Sequence, residues 1–155
     1  MLKKGSWMNV DRFLTTIPLL ADLGDDTLSV LAHTSRLVTF APGESIIRQD
    51  EPASDTFALI SGKARVTKDL YGASVTIAFL APGDIFGEIA HMIKAPHTAN
   101  VIAEVQSECI VIPKATWMDI VNGNDALALR LLRLAVKRLA ELESKASSAA
   151  AAIWI

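Results

Sequence analysis

The chain has 155 residues, of which 51% are hydrophobic and 21% charged, with a net charge of −2 at pH 7. That balance describes one folded domain with a real core rather than a disordered segment. A pI near 5.9 supplies no basic field for nucleic acid, no apolar run approaches the ~18 residues of a membrane span, and the start has no signal-peptide h-region. The single Cys109 excludes an internal disulfide, and the expected location is cytoplasmic.

The first forty residues read as helices. Residues 1–10 form an N-terminal extension, and Met8 is an alternative start. Asp11-Arg12-Phe13-Leu14 leads to Ile17-Pro18-Leu19-Leu20, where Pro18 breaks the preceding helix. Asp25 or Asp26 is the expected N-cap of a second helix through Leu28, Leu31 and Ala32. From Arg36 the period changes to two. Short strands are expected at 45–48, 56–60, 64–69, 74–80, 84–86, 98–105 and 108–112, after a first one at 36–40. Turn residues such as Ala41-Pro42-Gly43, Ser61-Gly62 and Ala81-Pro82-Gly83 punctuate them. Regular short strands point to a β-sandwich or jelly roll over about 36–113. The corners Phe40-Ala41-Pro42-Gly43-Glu44 and Leu80-Ala81-Pro82-Gly83-Asp84 echo each other, as two similar halves would. Glu108-Cys109-Ile110-Val111-Ile112 reads as a strand with a buried, inert thiol.

Helical period returns at Asp125, with Asn124 as its cap, in a long helix over about 125–146. Two apolar seams run along it. Leu127, Leu131 and Leu134 form one, suited to covering the roll. Ala128, Leu132, Ala135, Leu139, Leu142, Ala146, Ala149 and Ile153 form the other, with 4-3-4-3 spacing suited to a partner helix. Homodimerisation through this helix is expected, against the alternative of one broad core-facing stripe. Residues 147–155 are an alanine-rich tail in which helix continues to be favoured, ending in Trp154 and Ile155.

The stretch Phe86-Gly87-Glu88-Ile89-Ala90, followed by Pro96-His97-Thr98-Ala99-Asn100-Val101-Ile102-Ala103, carries the chemistry. A glycine after a strand lets a ligand approach the backbone. A carboxylate and the free N–H groups of a helix start follow. This resembles the phosphate-binding cassette of cyclic nucleotide-binding domains, roughly F-G-E-[IL]-A, a gap, then P-R-[TSA]-A-x-V-x-A. Ile46-Ile47 through Phe57-Ala58-Leu59-Ile60-Ser61-Gly62 resembles a second stretch of that family, with Asp50 where glycine is usual. The resemblance covers about 12–145. It implies a mainly-β α+β domain: a double-stranded β-helix (jelly roll) flanked by N-terminal helices and a long C-terminal helix, with 11–146 as the domain.

The resemblance also implies roles. Glu88 matches the acceptor of the ribose 2′-hydroxyl and Gly87 the close-approach position. Ile89 and Ala90 supply N–H groups, Thr98 an N–H and a hydroxyl, and Ala99 a place for a small side chain only. Phe86 opens the cassette. Glu143 or Ser144 on the long helix stands where dimeric regulators meet adenine, and Trp154 is an alternative base cap. Two positions depart from the pattern: His91 replaces an aliphatic residue, and His97 replaces the phosphate-binding arginine. Histidine offers one charge-assisted bond where arginine offers two. His97 is then a solvated residue in a vestigial pocket, an anion ligand that strengthens at acid pH, or, with His91 and Glu88, a metal ligand.

Three functions are weighed. The first is a stand-alone regulatory module that binds a cyclic nucleotide such as cAMP or cGMP, weakened by His97. The second is a ligand-free interaction protein whose helix or tail binds a protein partner. The third is a truncated transcription regulator of the catabolite-activator type, which would need a helix-turn-helix. No nucleophile-elbow, metal or P-loop spacing marks an enzyme, and no resident cofactor, nucleic acid or membrane partner is expected.

Overall fold

The computed structural model describes the backbone of residues 6–153 and the side chains of residues 10–144. Helix α1 (Ser6–Leu14) is followed by a 3-10 turn at Pro18–Leu20 and helix α2 (Asp25–Thr34). Pro18 stands first in that turn, where its missing N–H costs nothing. Gly24, not Asp25 or Asp26, is the N-cap of α2. The two aspartates lie in the first turn, where their charge favours the positive end of the helix dipole.

Eight strands follow: β1 (Arg36–Phe40), β2 (Ser45–Ile47), β3 (Thr56–Ser61), β4 (Ala64–Leu70), β5 (Ala73–Leu80), β6 (Ile85–Phe86), β7 (Asn100–Ala103) and β8 (Ser107–Ile112). They form two four-stranded sheets, ordered β1-β8-β3-β6 and β2-β7-β4-β5, all neighbours antiparallel. β7 is shorter than the 98–105 expected, because Thr98 and Ala99 belong to the loop entering it. The echoed corners are alike in detail. Glu44 and Asp84 each accept the N–H of the alanine three residues back at 2.8 Å, through Oε2 and Oδ2. Gly43 and Gly83 each take positive φ, 82° and 97°.

Alternation along β3 and β8 explains why these strands read as continuous apolar runs. Phe57, Leu59, Cys109 and Val111 face the interior of the roll, with Ile47, Phe86 and Val101. Ala58, Ile110 and Ile112 face the other way, into a second core built with Leu14, Leu20, Leu31, Trp117, Leu127 and Leu131. A sheet covered on both faces needs apolar residues at every position. Burial pushes the Cys109 thiol up to about 12, so it remains protonated.

Helix α3 (Glu88–Ile93) sits between β6 and β7. Helix α4 (Lys114–Asn122), which period-two reading passed over, anchors the second core through the fully buried Trp117. Helix α5 runs from Asp125 to Ile153, through the alanine-rich segment. Asn124 Oδ1 accepts the Leu127 N–H at 3.0 Å, as expected of a cap. Arg130 ties α5 to the N-terminal turn by pairing with Asp22 and donating to the Leu19 carbonyl (3.3 Å). Leu127 and Leu131 are buried, whereas Leu132 and Leu139 of the second seam are 53% and 66% exposed. Trp154 lies outside the described residues. Among the described residues, no helix is long and apolar enough to cross a membrane.

Candidate functional site

Phe86 ends β6 with its ring stacked on Phe57, centroids 5.3 Å apart. The chain then turns through Gly87 at φ +85°. A Cβ there would meet the Asp55 carbonyl and Ile47 Cδ1, both at 3.1 Å, so sterics and backbone conformation both ask for glycine. The turn launches α3 with Glu88 as its first residue. Lys94, at φ 50°, ends the helix after six residues.

The loop back to β7 is held from behind. Asp50 N–H donates to the His97 carbonyl (2.8 Å) and His97 N–H to the Glu51 carbonyl (3.0 Å). Asp50 takes φ 68°, the left-handed turn in which aspartate can replace glycine. Lys68 Nζ donates to the Thr98 carbonyl (2.5 Å), and Asn100 Oδ1 accepts the Gln49 N–H (2.8 Å).

These elements enclose a cavity of about 340 Å³, within the range of small-molecule sites. Every cassette residue singled out in the sequence lines it: Phe86, Gly87, Glu88, Ile89, Ala90, His97, Thr98 and Ala99. β5 contributes Ile77 and Phe79, and α5 contributes Leu134, Lys137, Arg138, Glu141 and Leu142. Glu143 and Ser144 are not brought to it. They lie just past Leu142 on an exposed stretch of α5, whose inward turn presents Lys137, Arg138 and Glu141 instead.

Glu88 is 2% exposed. Its Oε1 accepts from Arg138 Nη1, and Arg138 Nη2 donates to the Ile85 carbonyl at 2.5 Å. Its Oε2 is buried with no donor from another residue, while the Glu88 N–H itself favours the charged carboxylate. Burial pushes the carboxyl above its ordinary 4.5, and the Arg138 guanidinium works against that rise. Sequence reading missed Arg138, yet a signal was present. Positions 127, 131, 134 and 138 are spaced 4-3-4, so Arg138 continues the seam that covers the roll. A cation on a seam that faces the roll points to an acceptor opposite it.

His97 is not a solvated residue. It is 5% exposed, and its Nε2 accepts the Ser54 N–H at 3.1 Å with the Ser54 hydroxyl at 2.9 Å. A ring nitrogen that accepts a backbone N–H carries no proton, so the neutral ring holds its proton on Nδ1. Burial lowers the His97 pKa below 6.5, against an opposing pull from Glu51. His91, also buried, has no well-formed hydrogen bond on either ring nitrogen, and only the Asp55 backbone acts as a weak acceptor for it. Burial again lowers its pKa, helped by Lys114 and His97 and opposed by Asp55. Among the described residues, no three His, Cys, Asp or Glu side chains gather as a metal site.

Comparison with known proteins agrees with this arrangement. The cAMP-dependent protein kinase regulatory subunit of Yarrowia lipolytica is 37% identical over 105 residues, 67% of this chain and 27% of that one. The chain thus spans about a quarter of the length of that curated relative. The regulatory domain of Toxoplasma gondii PKA, solved with cAMP, superposes with a TM-score of 0.76 at 22% identity, covering 84% of this chain and 50% of that one. The sensor domain of the transcriptional regulator DNR from Pseudomonas aeruginosa superposes with a TM-score of 0.75 at 25% identity, covering 86% and 90%. The family profile described as "Cyclic nucleotide-binding domain" matches residues 37–124, more than half of the chain. With its two-sheet roll, its glycine-led cassette and its covering helix, the chain belongs to the cyclic nucleotide-binding domain family.

Proposed function

We propose that this chain is a non-catalytic regulatory module whose cavity binds a cyclic nucleotide such as cAMP or cGMP, with affinity lowered by His97. The observation that carries this reading is the buried Oε2 of Glu88 at the cavity wall, which no other residue supplies with a donor. A buried acceptor left without a donor costs about 1–3 kcal/mol, and a ribose hydroxyl is the donor that the family resemblance implies there. Thr98 and Ala99 complete the wall, and Ile77, Phe79, Leu134 and Leu142 offer apolar surface to a base. At the phosphate end a neutral imidazole replaces an ionised fork. The lost charge-assisted bond is worth roughly 1.5–3 kcal/mol, or one to two decades of affinity.

The exposed Leu132, Leu139 and Leu142 support a second part of the reading, a homodimer formed along α5. A protein partner on the same stripe is the alternative occupant.

Calorimetric titration with cAMP and cGMP at pH 6 and pH 8 tests the ligand. Weak binding that does not tighten at pH 6, and that gains about ten- to a hundredfold in His97→Arg, is expected. No heat at either pH, in either protein, would sink the reading.

A further inference from the structure

The cavity is poorly balanced for an anion. Its lining carries two cations, Lys137 and Arg138, and three carboxylates, Asp84, Glu88 and Glu141. Arg138 has both terminal nitrogens engaged, one on Glu88 and one on the Ile85 carbonyl. Lys137 is exposed, and a solvated ammonium adds little to binding. His97 has its Nε2 turned to Ser54 and offers one neutral N–H at most. A phosphate would therefore share the cavity with a buried carboxylate, and the one fixed cation there is already held by that carboxylate.

The cavity's unmet need is for donors. No other residue donates to Glu88 Oε2, and the half-buried Asp84 has one oxygen on the Ala81 N–H. A ribonucleoside brings three ribose hydroxyls, each able to donate. Closing a 3′,5′-cyclic phosphate consumes two of the three and adds a negative charge. We propose that the pocket prefers an uncharged ribonucleoside to the cyclic phosphate of the same base, held by its ribose on Glu88 with the base against Phe79, Leu134 and Leu142. This rests on the reading above that the cavity takes a ribose-bearing ligand on Glu88.

The test is a titration of the full chain at pH 7.5 and fixed salt with adenosine, guanosine, 2′-deoxyadenosine, cAMP and cGMP, followed by His97→Arg with the same set. At least one ribonucleoside is expected to bind tenfold or more tightly than its cyclic phosphate. If that ligand is adenosine, the 2′-deoxy form loses at least tenfold. In His97→Arg the ratio moves tenfold or more toward the cyclic nucleotide. The wild-type ratio decides alone should that variant not fold. Cyclic nucleotides binding as well as their nucleosides, or better, overturn the proposal and leave the cyclic nucleotide reading standing. No binding of either class overturns both.

Discussion

Replacing Arg138 by glutamine removes the guanidinium from Glu88 and from the Ile85 carbonyl. Breaking a buried ion pair by deleting one partner costs about 3–5 kcal/mol when the remaining charge has no relief. Glu88 does have relief, because it can take up a proton. From its ordinary value of 4.5, at 1.36 kcal/mol per pH unit, protonation costs about 3.4 kcal/mol at pH 7 but about 1.4 kcal/mol at pH 5.5. That cost is a ceiling on the charge part of the loss. The orphaned Ile85 carbonyl adds about 1 kcal/mol at either pH. Urea denaturation of wild type and Arg138→Gln at both pH values should therefore show a smaller loss at pH 5.5, by up to about 2 kcal/mol. Histidine titration is common to both proteins and cancels in the difference. Glu88→Gln in the Arg138→Gln background should abolish the pH dependence of the loss. A loss independent of pH, or no loss at pH 7, would show that Glu88 and Arg138 are not energetically coupled and would refute the reasoning.

His91→Leu should stabilise the fold by about 1 kcal/mol at pH 7, since it removes a buried imidazole that lacks a well-formed hydrogen bond. The same variant should blunt acid sensitivity. His91 and His97 have folded-state pKa values lowered below 6.5, so the unfolded chain takes up protons that the folded one refuses. Their effect is absent above pH 6.5 and destabilises progressively as pH falls below it. Glu88, raised above 4.5, acts in the opposite sense, so the measurement is the wild-type-minus-variant difference in stability at pH 7.5 and 5.5. A double substitution, Leu132→Lys with Leu139→Glu, should convert a dimer to a monomer in sedimentation velocity while the monomer stays folded by circular dichroism, because both side chains are more than half exposed in the single chain. Cys109 should resist a thiol reagent in the native protein and react only on unfolding, with its pKa near 12; fast native labelling would contradict its burial.

Most of the architecture was legible because local and global signals agree. Pro18, the paired Pro-Gly corners, Asn124 and the switch from period two to period 3.6 each act through the backbone within a few residues. Each appears where chain order predicted it. Asp50 is legible for the same reason, since left-handed tolerance belongs to the residue itself. The exceptions are informative. Helix α4 has only nine residues and follows directly on the apolar run of β8, so no sustained helical period separates it. The N-cap of α2 fell to Gly24 because the chain enters that helix one residue earlier than the acidic pair suggests.

For the cavity, the division follows the range of the interactions. The resemblance of the cassette to its family placed Phe86 to Ala90 and His97 to Ala99 around one space, and a strand, a glycine turn and a short loop hold them there. It said nothing reliable about charge. Whether His97 is ionised depends on Ser54, 43 residues away in sequence. Whether Glu88 has a partner depends on Arg138, 50 residues on. The sequence by itself determined the roll, its cassette and the helix that covers it. Only the tertiary structure decided that His97 is neutral, that α5 offers Arg138 and Glu141 instead of Glu143 and Ser144, and that no other residue donates to one oxygen of Glu88. Those outcomes are set by burial and by contacts between distant segments, which periodicity and spacing do not encode.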